Sequence, residues 1–246
     1  MTIKAVVFDA YGTLFDVYSI GALAERLYPG HGTTISTLWR DKQIEYTRLI
    51  TMSDPHRAGG SRHYQSFWDI TRLSLLYVLA RLKLAPAEQS VDALMAQYGQ
   101  LTPFPENLAV LEKLKAAGIQ TAILSNGNTA MLEAVVASAG MAQLLDHVIS
   151  VDSARLFKTA PESYALVQQR LPLQAEEILF VSSNAWDALG ATWFGFTTLW
   201  VNRQGLPFET IGVPPSFTGS DLGLVLEILQ LKLDCSQAPG CPARLV

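Results

Sequence analysis

Cysteine is almost missing from this 246-residue chain, which holds two, Cys235 and Cys241, both near the C-terminus. A disulfide framework is thereby excluded as the basis of the fold. A Cys235–Cys241 bridge fits across the Pro239-Gly240 turn, but a reducing compartment disfavours it, and ordinary thiols are expected. Histidine is also scarce. His31, His56, His63 and His147 show no ligand spacing, so no metal site is expected. Basic residues are not in surplus: 18 Lys and Arg stand against 22 Asp and Glu, for a net charge of -4, which argues against nucleic acid as a partner. No apolar run approaches the roughly 20 residues that span a bilayer. The chain enters a strand almost at once, with no charged-then-apolar leader, so the expectation is a cytoplasmic protein without membrane contact.

What is present is apolar residue in quantity, 49% of the chain against 16% charged, enough for a full core in one large domain or two small ones. Strands are predicted at 4–8, 120–124, 147–150, 177–181 and 197–201, with helices at 106–117, 130–139, 161–171 and 187–194. The alternation indicates βαβ units and a parallel sheet. About 110 residues after the first strand break this rhythm. Helical periodicity there covers 18–28, 34–51, 64–83 and 86–100, an all-helical insertion expected to cap the strand ends. The stretch Ser53–Ser61 reads as a mobile loop dividing the cap helices. The fold class is therefore α/β, a Rossmann-like core (1–15 and 103–246) with an inserted helical cap (16–102).

Four polar clusters fall where parallel strands should end, the usual place for catalytic groups in such sheets. The first is Asp9-Ala10-Tyr11-Gly12-Thr13, after the apolar run Val6-Val7-Phe8. The second is Ser125-Asn126-Gly127, whose small groups let backbone N–H groups approach an anion. Lys158 is the third, with Tyr164 six residues on. Ser182-Ser183-Asn184-Ala185-Trp186-Asp187 is the fourth. Singly, each reads as a turn, a solvated charge or a helix cap. Four in this order are much more specific.

Together they resemble the haloacid dehalogenase superfamily, and within it the (S)-2-haloacid dehalogenases. Further stretches fit that subgroup: Trp39-Arg40 with Lys42-Gln43 and Glu45-Tyr46, Tyr64-x-x-Phe67, and Ile123-Leu124 before Ser125. The likeness runs from about Ile3 to about Leu229. It implies that Asp9 attacks C2 of a short (S)-2-haloalkanoic acid, forming an ester that water hydrolyses to the (R)-2-hydroxy acid and halide, with no cofactor. It assigns Ser125, the backbone at Asn126 and Lys158 to the substrate carboxylate. Arg40 and Asn126, with an apolar wall including Phe67, are assigned to the departing halide. Ala10 and Tyr11, which follow the nucleophile, are assigned to substrate binding, and Thr13, Ser182 and Asn184 orient Asp9. Asp187, with Lys158, positions the hydrolytic water, while Tyr164 and Trp186 are expected to fix Lys158 and line the pocket. The subgroup is commonly homodimeric, and the apolar helix around Leu73–Leu82 is the expected interface.

The phosphatases of the superfamily carry a second acid two residues after the nucleophile and acidic Mg²⁺ ligands in the fourth motif. Here Tyr11 and Ser182-Ser183-Asn184 replace them. Halide leaves as a weak base and needs no general acid. This chain departs from the subgroup in three ways: Thr159 follows Lys158 where proline is usual, Asp41 follows Arg40 where glutamine is common, and the 53–61 stretch lengthens the cap. Other readings of the same residues are a Mg²⁺-dependent phosphatase, the same nucleophile acting on fluoroacetate or a cyclic imino acid, and a non-catalytic small-anion binder.

Overall fold

The computed structural model describes residues 2–54 and 59–230. The two cysteines and residues 55–58 of the predicted mobile loop lie outside them. A parallel sheet of six strands, β1 (Ala5–Phe8), β2 (Gln120–Ser125), β3 (His147–Ser150), β4 (Ile178–Ser182), β5 (Thr197–Val201) and β6 (Phe217–Gly219), runs in the order β3-β2-β1-β4-β5-β6. β1 is central: Val7 pairs with Ala122 on one side and Phe180 on the other. All four β1 residues are buried, as an unbroken apolar strand covered on both faces must be.

The chain leaves β1 toward β2 and β3, then returns to build β4, β5 and β6 on the other side. That reversal opens a crevice at the carboxyl ends of β1 and β4, where α/β sheets place ligands. β6 is the one strand not expected from sequence. Its three residues, two of them exposed, carry no apolar pattern to read.

Helices α1 (Gly21–Leu27), α2 (Gly32–Met52), α3 (Phe67–Arg81) and α4 (Glu88–Gln97) occupy the interval between β1 and β2. Among the described residues this interval contains no strand, and α2 and α3 pack against each other. Ser66 caps α3 by accepting from the Asp69 amide, so the helix starts three residues later than its periodicity suggests. Helices α5 (Asn107–Ala116), α6 (Thr129–Ser138), α7 (Pro161–Arg170), α8 (Ala185–Phe194) and α9 (Leu224–Ile228) flank the sheet. The chain crosses between the cap helices and the sheet twice, side by side. There the Asp16 amide donates to the Thr102 carbonyl at 2.8 Å and Asn107 Nδ2 to the Leu14 carbonyl at 2.7 Å. Asp16 also caps the short turn that follows it, accepting from the Tyr18 amide.

Candidate active site

Asp9 stands one residue beyond β1, and its amide donates to the Val181 carbonyl at 2.9 Å, extending the ladder with β4. The chain then turns sharply, with Leu14 and Phe15 amides returning to the Ala10 carbonyl. Gly12 takes φ +96° in this turn, a conformation that a side chain would strain. The turn brings the Thr13 hydroxyl back onto Asp9 Oδ2 at 3.0 Å, while the Ser183 amide donates to Thr13 Oγ1 at 2.8 Å. Asn184 Nδ2 supplies a second donor to Oδ2 at 2.8 Å.

Lys158, from the loop between β3 and α7, reaches Asp9 Oδ1 at 3.0 Å and Asp187 Oδ2 at 2.9 Å. Its side chain is fully buried and lies 4.9 Å over the Phe180 ring, so it is no solvated charge. The Lys158–Thr159 peptide is cis. Asp187, in the first turn of α8, also accepts from Tyr164 Oη at 2.8 Å. Burial pushes the Asp187 carboxyl above its usual range, against the opposing pull of the Lys158 ammonium. Because that ammonium already bridges the two carboxylates, they do not fit a divalent cation between them. Among the described residues no cluster of three or more His, Cys, Asp or Glu could hold a metal.

Arg40, on α2, is buried and makes no ion pair among the described residues. Its guanidinium donates to neutral acceptors only: the Tyr11 carbonyl at 3.1 Å, Asn184 Oδ1 at 3.2 Å and Gln43 Oε1 at 3.3 Å. Glu45, its sequence neighbour, pairs with Lys42 instead, and Asp41 is exposed. A buried cation without a carboxylate has the electrostatics of an anion site. Phe67, at the start of α3, stacks on Tyr11 with centroids 5.9 Å apart and closes the apolar side. The Tyr11 hydroxyl is buried without a hydrogen-bond partner among the described residues.

Some expected contacts are replaced by others. Among the described residues no hydrogen bond joins Ser182 to Asp9. The Ser182 hydroxyl accepts from the Asn184 amide at 3.1 Å and shapes the turn that aims Asn184. Tyr164 does not line the pocket or bind Lys158. It is buried among Phe180, Phe194 and Phe196 and holds Asp187. Trp186 lies under the Arg48 guanidinium and lines a cavity of about 560 Å³ with Arg40 and Asn184, a cavity that Lys158 does not line. Ser125 Oγ accepts from the Gly127 amide, and Asn126 Oδ1 accepts from the Lys158 amide at 2.9 Å, tying the second cluster to the third. Gln43, Thr71 and Arg203 were not expected near the site. Arg203 donates to the Thr13 carbonyl at 3.2 Å and pairs with Glu106 at 2.6 Å. The signal for Gln43 was its position three residues after Arg40, on the same helix face.

The family model of haloacid dehalogenase-like hydrolases matches residues 3–195. The (S)-2-haloacid dehalogenase H-109 of Pseudomonas putida is 42% identical over 221 residues, 90% of this chain and 95% of its own. The solved structure of an L-2-haloacid dehalogenase superposes with a TM-score of 0.90 at 52% identity, covering 94% of this chain and all of its own. That of the Xanthobacter autotrophicus L-2-haloacid dehalogenase with chloropropionic acid covalently bound gives 0.84 at 40% identity, covering 93% of this chain and 99% of its own. The chain belongs to the haloacid dehalogenase-like hydrolases and, within them, to the (S)-2-haloacid dehalogenase family.

Proposed function

We propose that this protein hydrolyses short (S)-2-haloalkanoic acids to (R)-2-hydroxy acids through an ester on Asp9. The observation that carries the reading is the pairing of two features around one carboxylate. Asp9 is held by three donors, with Tyr11 where the phosphatases carry a second acid, and Arg40, a cation with no ion pair among the described residues, is linked to it through Asn184.

Three donors fix the Asp9 carboxylate in one orientation before substrate arrives, which removes the reorganisation cost of attack. Oδ1 has one donor against two on Oδ2, and its lone pairs are the freer to attack C2 from the face opposite the halogen. The C2–O bond forms as the carbon–halogen bond breaks, and the halide leaves with the bonding pair. Arg40 and Asn126, beside Phe67, stabilise the charge that grows on it. The substrate carboxylate is taken by Ser125, the backbone at Asn126 and the remaining N–H of Lys158.

Esterification removes the charge of Asp9 and leaves Lys158 to Asp187 and the substrate carboxylate. Asp187, its proton affinity raised by burial, takes a proton from water as that water attacks the Asp9 carbonyl carbon. The bond between Asp9 Cγ and the ester oxygen then breaks, the alkoxide leaves with that oxygen and takes the proton of the newly formed carboxyl group, and the 2-hydroxy acid departs as Asp9 regains its carboxylate and Asp187 gives its proton to solvent. Residues 16–102 act as the cap that excludes bulk water. Exposed Leu73 and Tyr77 on α3, with Leu49 and Met52 on α2, fit the pairing of two copies through the cap.

Halide release from (S)- and (R)-2-chloropropionate in EDTA, by wild type and Asp9→Asn, tests the reading. Release from the (S) isomer by wild type alone is expected. No release, with Mg²⁺-dependent cleavage of a phosphate ester, would overturn it.

A further inference from the structure

Gln43 is fully buried on α2, and a buried primary amide must satisfy both its oxygen and its nitrogen. Its Oε1 accepts from Arg40 Nη1 at 3.3 Å and from Tyr98 Oη at 3.4 Å. Its Nε2 donates to Thr71 Oγ1 at 2.6 Å, and the Thr71 hydroxyl donates to the Phe67 carbonyl at 2.6 Å.

The orientation of the amide follows from chemistry. A guanidinium offers only donors, so the amide oxygen must face Arg40. The NH₂ group then faces Thr71, whose own proton is turned toward Phe67. The three bonds donate in one direction, from Arg40 through Gln43 and Thr71 to Phe67, so each polarises the next. Trp39 Nε1 adds a bond to the Thr71 carbonyl at 2.7 Å, clamping α3 to α2 at the same level.

We propose that Gln43 is a positioning residue for the leaving-group cradle. It sets the Arg40 guanidinium and the first turn of α3, which carries Phe67, in one fixed relation. Being neutral, it does so without cancelling the charge that the departing halide needs. A carboxylate at this position would keep the hydrogen bond to Arg40 and annul the cation. The inference rests on the dehalogenase reading and adds to it how the cradle is kept both rigid and positive.

The test compares wild type, Gln43→Glu and Thr71→Val on (S)-2-chloropropionate and (S)-2-bromopropionate. Rapid quench separates ester formation from ester hydrolysis, and added bromide measures product inhibition. Gln43→Glu is expected to slow ester formation and weaken bromide inhibition by about tenfold each. Chloride should suffer more than bromide, because it is the poorer leaving group. Ester hydrolysis, which no longer needs the cradle, should hold its rate. Thr71→Val removes the acceptor for Gln43 Nε2 and should move the chloride-to-bromide ratio in the same direction. Wild-type ratios and bromide inhibition in both variants would overturn the proposal. So would an equal slowing of both steps with a lowered melting temperature, which marks a merely structural role. Failure of the wild type to release either halide would overturn the dehalogenase reading instead.

Discussion

The phenol of Tyr164 donates to Asp187 Oδ1 at 2.8 Å, joining the first turn of α7 to the first turn of α8 beneath the site. The contact exists because residue 190 has no side chain. A Cβ on Gly190 would stand 2.6 Å from Tyr164 Oη and 2.6 Å from Thr159 Cγ2. A glycine well outside the polar clusters therefore sets how closely α8 brings Asp187 to its partner.

Tyr164→Phe should expose the function of that bond through pH. Burial already raises Asp187, while the bonds from Lys158 and Tyr164 lower it. Removing the phenol takes away one of the lowering influences, so the carboxyl rises further. A base works only when deprotonated, so the acid limb of the kcat profile should move to higher pH. The buried Oδ1 loses its donor, a cost of about 1–3 kcal/mol in stability. The pH dependence of kcat checks the first effect and thermal melting the second. An unshifted acid limb would remove Asp187 from the role of base.

Much of this arrangement was legible in the sequence. The apolar run Val6-Val7-Phe8 marked a covered central strand, and polar clusters at 9–13, 125–127 and 182–187 marked the ends of three adjacent strands. Lys158 was legible by order along the chain, and the structure brings it onto Asp9. What escaped were contacts made across elements. Tyr164 was assigned to Lys158, but nothing local to 158–164 reveals that α8 presents Asp187 to its hydroxyl. Gln43 and Thr71 are polar residues within helices, where such a residue ordinarily faces solvent. Only the packing of α2 on α3 buries both and makes them partners. β6 escaped because three residues carry too little pattern to read.

Lys158→Met should make stability strongly dependent on pH. The ammonium lies within 3.0 Å of both Asp9 and Asp187, and its removal leaves two buried carboxylates with no cation between them. Losing one partner of a buried ion pair costs about 3–5 kcal/mol at neutral pH. The Asp187 carboxyl, already raised by burial, then loses the ammonium that pulls it down and rises further above its value in the unfolded chain. Protons bind more tightly to the folded form, so stability is retained at low pH and lost as pH rises through the raised value. Melting temperatures between about pH 5 and about pH 8 should fall in the variant more steeply than in wild type. Parallel curves would mean that the carboxylates find another partner.

Trp186→Ala addresses the cavity rather than the chemistry. Its ring lines the space of about 560 Å³ shared with Arg40 and Asn184, under the Arg48 guanidinium. That space meets the site at Arg40 and Asn184 but is not lined by Asp9, Phe67, Ser125, Asn126 or Lys158, so removing the ring enlarges it without touching the reacting groups. With the alkyl group of the substrate directed into it, a two-carbon haloacid should lose affinity, whereas a longer 2-haloalkanoate should lose less, because its chain refills part of the gap. Loss of one or two methylene contacts is worth about 1–3 kcal/mol, read in the ratio of kcat/KM for the two substrates. An unchanged ratio would place the alkyl group elsewhere.

Thr13→Val separates holding the nucleophile from being it. The Thr13 hydroxyl donates to Asp9 Oδ2 while its oxygen accepts from the Ser183 amide, so one atom couples the loop after β1 to the loop after β4. Valine keeps the shape and removes both bonds. The Ser183 amide loses its acceptor, which costs about 1–3 kcal/mol, and Asp9 keeps only Asn184 on Oδ2. Ester formation should slow by about tenfold to a hundredfold, in proportion to the lost preorganisation. Thr13→Ser keeps the oxygen and should restore most of the rate, whereas Asp9→Asn should abolish turnover. A valine variant as fast as wild type would mean that Lys158 and Asn184 alone hold the carboxylate, with Thr13 serving the turn and not the nucleophile.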